Sequence, residues 1–187
     1  VDESLYYDIL SAFCKSLRGS DSNAALYYAQ RLISGGCDPM LVARRLVVHS
    51  AEDVGLADPQ ALVVAQSAMT VLQQIGLPEG MIPLSEAIIY VCEAEKSNSV
   101  VEAMYAAIAD AREVRDDNIP PYLKDNSYGS KEDKANSGKY KYPHNYGGYV
   151  EQQYLPDSLK DKIYYVPGQN GYENDVKEIR KRKGKKQ

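Results

Sequence analysis

Leu5, Ile9, Leu10, Phe13 and Leu17 recur three and four positions apart, the period of a helix that buries one face. The spacing predicts a first helix running to about Arg18, with Gly19 free to take the left-handed conformation that ends it. Ala25, Tyr28, Ala29 and Leu32 mark the inner stripe of a second helix, opened by a cap at Ser20 or Asp21 and stopped by Gly35-Gly36. The dipeptide Asp-Pro then occurs at 38–39 and 58–59. Each places a capping carboxylate before a proline whose missing amide hydrogen costs nothing in a first turn. The third helix is expected over Pro39 to about Val54 and the fourth over Pro59 to about Ile75, with Asp21, Asp38 and Asp58 as caps. A fifth follows Pro78-Glu79-Gly80 and carries Leu84, Ala87, Ile88 and Val91, although Pro83 blurs its start. Asn98 or Ser99 can cap a sixth, with Val101, Met104, Tyr105 and Ile108 on one face.

No stretch of this front region alternates with a period of two for long enough to argue a strand. The short connections imply antiparallel or steeply crossed neighbours. The expectation is an all-α bundle of about six short helices over residues 1–115. Residues 39–51 and 60–75 are apolar around most of the helical circumference, more than one surface stripe requires. Either both helices lie at the centre of the core, or part of their surface meets another subunit.

Composition divides the chain near residue 115. Residues 1–115 carry 15 acidic against 8 basic side chains, residues 116–187 carry 11 against 14, and 10 of the 16 tyrosines fall in the second part. Prolines, glycines and polar residues break every period after 115, so residues 116–187 read as an extended, irregular arm rich in Tyr, Pro and Gly. Its tyrosines suit an arm laid against helices, because each ring can be buried with its hydroxyl left wet. Residues 127–137 are expected to be mobile, and 177–187 form a basic tail.

Candidate chemistry is sparse. The phosphate-cradling GxxxxGK[ST] pattern is absent, and so is a GxGxxG following a strand. No catalytic, cofactor-binding or metal-binding residue is assigned. The three cysteines are widely separated, which fits a reducing cytoplasm and disfavours a structural zinc site. No apolar run approaches the roughly 20 residues of a membrane span, and the acidic start does not resemble a signal peptide. His49 lies three and four positions from Glu52 and Asp53, which mimics an acid–base cluster, yet an ion pair at a helix end is the stronger reading. Glu52 and Asp53 near a helix carboxyl end oppose its dipole and call for a cation, with Arg44, Arg45 or a partner chain's arginine the natural candidates. Arg44 and Arg45 cannot both point into hydrocarbon, so the four residues are candidate subunit-interface or structural ion-pair groups. The basic tail offers a different reading, a DNA-binding module.

The segments KSLRGSD (15–21), ARRLVVHSAEDVGLADPQAL (43–62) and QQYLPDSL (152–159) together resemble the carboxyl-terminal part of the replication-associated recombination protein A family. That family is also called MgsA, and its eukaryotic relatives are the Werner helicase-interacting proteins. Departures are modest, such as Cys14 where histidine is frequent. The resemblance implies a clamp-loader-collar-like bundle from a AAA+ ATPase that acts in replication-fork maintenance, recombination and repair. It implies homo-oligomerisation, as a tetramer, by a region that is not itself an enzyme. ATP and Mg would belong to an ATPase core preceding this chain. Implied partners are other copies of the chain, that core, DNA and single-stranded DNA-binding protein, in the cytoplasm at the nucleoid and without a membrane.

Overall fold

The computed structural model describes residues 2–125 and 139–186. The segment expected to be mobile, 127–137, lies outside the described residues. Seven α-helices are present among them, with no strand: α1 (Glu3–Arg18), α2 (Ser22–Ser34), α3 (Pro39–His49), α4 (Gln60–Ile75), α5 (Met81–Glu93), α6 (Ser99–Glu113) and α7 (Tyr172–Lys183). The all-α expectation therefore holds. Packing divides the chain into two units, residues 1–102 with 167–177, and residues 103–166 with 178–187.

In the first unit, α1 packs on α2, α4 on α5, α3 on α4 and α2 on α5. The stripes read from the sequence converge: Ile9, Phe13 and Leu17 of α1 share one core with Ala25, Ala29 and Leu32 of α2. Val42 and Leu46 of α3, Leu72 of α4, and Leu84, Ile88 and Val91 of α5 complete it. Small residues on α4 (Ala61, Ala65, Ala68) allow close approach of its neighbours. The caps are local. Asp21 accepts from the Ala24 amide at 2.9 Å, Asp38 from Met40 at 2.9 Å and Asp58 from Gln60 at 3.1 Å.

Three details differ from expectation. Gly19 has φ −83°, and Ser20 takes the left-handed turn instead with φ 61°. The third helix stops being α-helical at His49, and Ser50–Val54 continue as one π-helical turn. Pro83 falls inside the first turn of α5, where no amide donor is needed, so the helix begins ahead of it at Met81. Neither greasy helix is enclosed all round: α3 buries Val42, Ala43, Leu46 and His49 but exposes Val48, and α4 buries Ala61, Ala65, Ala68 and Leu72 but exposes Leu62 and Val63.

The chain returns to the first unit at 167–177. Its approach depends on Gly171, at φ 56°, where a Cβ would stand 2.0 Å from the Ala57 carbonyl oxygen. The Asn170 amide donates to the Lys96 carbonyl at 3.0 Å. Glu173, fully buried, accepts from the hydroxyls of Ser97 and Ser99, the latter at 2.7 Å. These serines open α6, where the helix dipole favours a carboxylate.

The second unit contains most of α6, three short 3-10 turns (Pro121–Leu123, Pro143–Tyr146, Asp157–Leu159) and the basic end of α7. Polar ties hold it. Tyr164 donates to Asp110 at 2.7 Å, Ser158 to Asp116 at 2.6 Å, and Tyr122 to the Gln153 carbonyl. Arg180 lies 5.1 Å from the centre of the Tyr165 ring. On α6, Met104 and Tyr105 face solvent.

Candidate functional site

The chemistry-bearing residues of the first unit meet where α3 widens into the π turn. A π turn takes one more residue per hydrogen-bonded loop than an α turn, so it re-aims the side chains that follow. Here it brings Asp53 beneath His49: Nδ1 of the imidazole lies 2.8 Å from the Asp53 carboxylate, with both groups buried. Glu52 stands 3.6 Å from the same nitrogen. The Asp53 carbonyl accepts from the Ser97 amide at 2.8 Å, which locks the turn to the loop before α6.

Arg18, at the end of α1, supplies the compensating cation. Its Nε donates to Asp53 at 2.8 Å and its Nη2 to Glu52 at 3.1 Å. That corrects the choice of Arg44 or Arg45 for this task. Arg44 is exposed, and Arg45 is half-buried with Nη2 3.2 Å from His49 Nε2. Residues sharing a helix with the acids looked closest in sequence, but α1 ends beside the turn in space. The only sequence sign of Arg18 was a basic residue in the last turn of its helix.

The electrostatics follow from this packing. Hydrogen bonding to Asp53, then to Cys14, raises the His49 pKa to about 9 against the cost of burial. Burial pushes the Cys14 thiol up, but His49 and then Arg45 outweigh it and leave it below its ordinary value. Burial likewise raises Asp53, and the bonds from His49 and Arg18 bring it below the usual carboxylate range. The Asp53 carboxylate favours the imidazolium, whereas Arg45 Nη2, which can only donate and lies 3.2 Å from Nε2, favours the neutral ring.

Donor atoms of His49, Glu52 and Asp53 lie within 4.8 Å of one another, a spacing that suits a metal ion. However, the Arg18 guanidinium already engages the same carboxylates. A second cation would have to displace it. The arrangement is best suited to holding α1, α3 and the π turn in one register.

Lys96 has a comparable structural task. Its ammonium donates to the carbonyls of Val91, Cys92 and Ala94 at 3.0, 2.8 and 2.5 Å, closing the open end of α5. Burial holds it below its ordinary pKa. Neither Lys96 nor Glu173 carried a periodic signal, since both act on backbone ends or hydroxyls brought close by the fold.

Comparison with known proteins places the whole arrangement. A family model described as MgsA AAA+ ATPase C terminal matches residues 19–183. Replication-associated recombination protein A of Bacillus subtilis is 48% identical over 180 residues, covering 95% of this chain and 42% of that protein. The Escherichia coli K12 protein of the same name is 38% identical over 175 residues, covering 92% and 39%. ATPase WRNIP1 of Dictyostelium discoideum is 32% identical over 163 residues, covering 86% and 18%. The chain thus spans less than half the length of these relatives. With most of its residues inside the matched region and its bundle intact across it, the chain belongs to the MgsA AAA+ ATPase C-terminal family.

Proposed function

We propose that this chain is the homo-oligomerising fastening of a AAA+ ATPase that works in replication-fork maintenance, recombination and repair. The names of the relatives support the setting, and family membership supports an ATPase core, with its ATP and Mg, in the remainder of the protein. DNA is then the substrate of the whole protein, single-stranded DNA-binding protein a companion at the fork, and the cytoplasmic nucleoid the place of action.

One observation carries the oligomer reading. The α4–α5 hairpin leaves Leu62, Val63, Ile75, Leu77, Ile82 and Ile89 exposed, with Ile82 73% accessible. Aliphatic side chains left exposed along one hairpin are stabilised by a matching partner face. A second copy supplies that face by symmetry, and four copies make the tetramer. Arg44 stays available at the surface for a neighbouring subunit, whereas Arg45, Glu52 and Asp53 serve within the chain. Joining ATPase modules through such a collar raises their effective concentration to about the millimolar scale without any nucleotide contact by the collar itself.

Sedimentation velocity over a range of concentrations tests this. The expected result is a concentration-dependent oligomer that Ile75→Glu with Ile82→Glu converts to monomer. A wild-type chain that stays monomeric throughout rejects the reading.

A further inference from the structure

Cys14 sits where the polar network of the first unit reaches the surface. It lies one helical turn before Arg18 on α1, and α1 packs against α3, where Arg45 and His49 are likewise one turn apart. A cavity of ≈ 470 Å³ opens over this junction, lined by Tyr7, Leu10, Cys14 and Arg18 of α1 and by Arg45 and His49 of α3. Lys15 and Glu52 also line it. Cys14 is half-buried, so its sulfur can be reached from the cavity.

The two arginines of this junction are not equally committed. Arg18 is held by Asp53 and Glu52. Arg45 has no carboxylate partner among the described residues, and its Nη2 faces His49 Nε2 at 3.2 Å. Asp53 draws the ring toward its charged form and Arg45 draws it toward the neutral one, but the guanidinium keeps its own charge in either case. Burial raises the Cys14 thiol, and His49 and then Arg45 outweigh it. Cys92 is the contrast within the chain: it is fully enclosed on α5, and burial pushes its thiol up to about 11. At Cys14, access, thiolate character and a neighbouring cation coincide, which separates a reactive cysteine from a packed one.

We propose that Cys14 is a site of reversible oxidation by hydroperoxides, with the Arg45 guanidinium stabilising the departing oxygen. The thiolate sulfur attacks one peroxide oxygen as the O–O bond breaks, so an S–O bond forms and sulfur gives up two electrons. The second oxygen leaves as hydroxide and takes up the proton that the thiol had released, giving water. Negative charge grows on that oxygen in the transition state, where a fixed cation is worth most. The product is a sulfenic acid. One small thiol condenses with it and releases water, and a second displaces Cys14 from the mixed disulfide. None of the exposed α4–α5 hairpin residues lines this cavity, so the inference does not rest on the oligomer reading.

The test treats the 187-residue chain with hydrogen peroxide in the presence of dimedone, which caps sulfenic acids. Adducts at each cysteine are followed over time by peptide mass spectrometry. Cys14 should be labelled about tenfold or more faster in the folded chain than in the same chain unfolded in urea, although folding half-buries it. Cys92 should stay unlabelled while the chain is folded, and so reports the fold of every variant in the same sample. Arg45→Met should slow Cys14 about tenfold, less than the roughly 100- to 1,000-fold of a donor in a dry site, because Arg45 is only half-buried. Arg45→Lys keeps the cation and should restore part of the rate. Glutathione added after the peroxide and before dimedone should erase the label. Labelling of Cys14 no faster in the folded chain than in urea overturns the proposal, whatever the variants do. Equal rates in the wild type and Arg45→Met, with Cys92 silent in both, overturn it as well, and so does a label that survives glutathione.

Discussion

The two units of this chain are stabilised by different physics. The first hides Phe13, Leu17, Leu32, Leu46, Leu84 and Ile88 almost completely, and seals one buried polar network beside them. In the second, no alanine, valine, isoleucine, leucine, methionine or tyrosine side chain among the described residues is buried: Ile119, Ile163 and Val166 are exposed, and tyrosine, serine and glutamine side chains tie loops to carboxylates and carbonyls. Apolar burial is non-directional and sums over area, so it favours one cooperative body. Hydrogen bonds to solvent-accessible groups are exchanged for water at little net gain, so they set geometry more than stability. The first unit should accordingly resist denaturant as a whole, whereas the second should open locally.

Phe13→Ala is the strongest test of this contrast. Truncating a fully enclosed phenylalanine should cost about 3–5 kcal/mol, measured from the urea transition. A loss below about 1 kcal/mol would mean that the bundle is not the cooperative centre.

The polar network comes next. Asp53→Asn removes the shared partner of His49 and Arg18 and should cost about 2 kcal/mol near neutral pH. That is less than the loss for a fully enclosed pair, because Arg18 is 52% exposed. The histidine adds a pH signature. Its pKa rises from 6.5 to about 9 on folding, so its contribution is complete below about pH 6.5 and disappears as pH climbs through 9. Cys14 works in the opposite sense, since a depressed thiol pKa adds stability as the pH rises. Denaturation midpoints of Cys14→Ser followed from pH 6 to 10 remove the opposing thiol and should still fall, by less than in its presence because Cys14 is the second cause of the histidine's shift, and Cys14→Ser with Asp53→Asn should flatten most of that decline. A Cys14→Ser chain equally stable at both ends of that range would remove the imidazolium–carboxylate pair from the account.

The smallest effect is expected from Tyr164→Phe. It deletes the hydroxyl bonded to Asp110 and keeps the ring. The urea midpoint should stay in place while amide exchange quickens around residues 110–116 and 158–166. Equal slowing or quickening across both units would contradict their separate behaviour.

Residue order alone located the helices because a buried stripe repeats every three or four positions and because Asp-Pro, Gly76 and their like act on adjacent backbone. Periodicity, capping and chain reversal are local matters, and so α1 to α6 could be placed before any packing was known. Family resemblance was legible too, in short motifs such as ARRLVVHSAEDVGLADPQAL that survive without any view of the fold. The partner of Asp53 was not legible. Arg18 is distant in the chain, and only the docking of α1 against the end of α3 brings its guanidinium to the carboxylate. Nor was the π turn, whose extra residue per loop leaves no mark in the hydrophobic period. The buried station of Glu173 was hidden for the same reason, as a carboxylate in a polar helix reads as a solvated face until two serine hydroxyls and the start of α6 enclose it. Long-range polar pairs are one-off contacts set by how helices dock, and a pattern that repeats along the chain cannot encode an event that happens once.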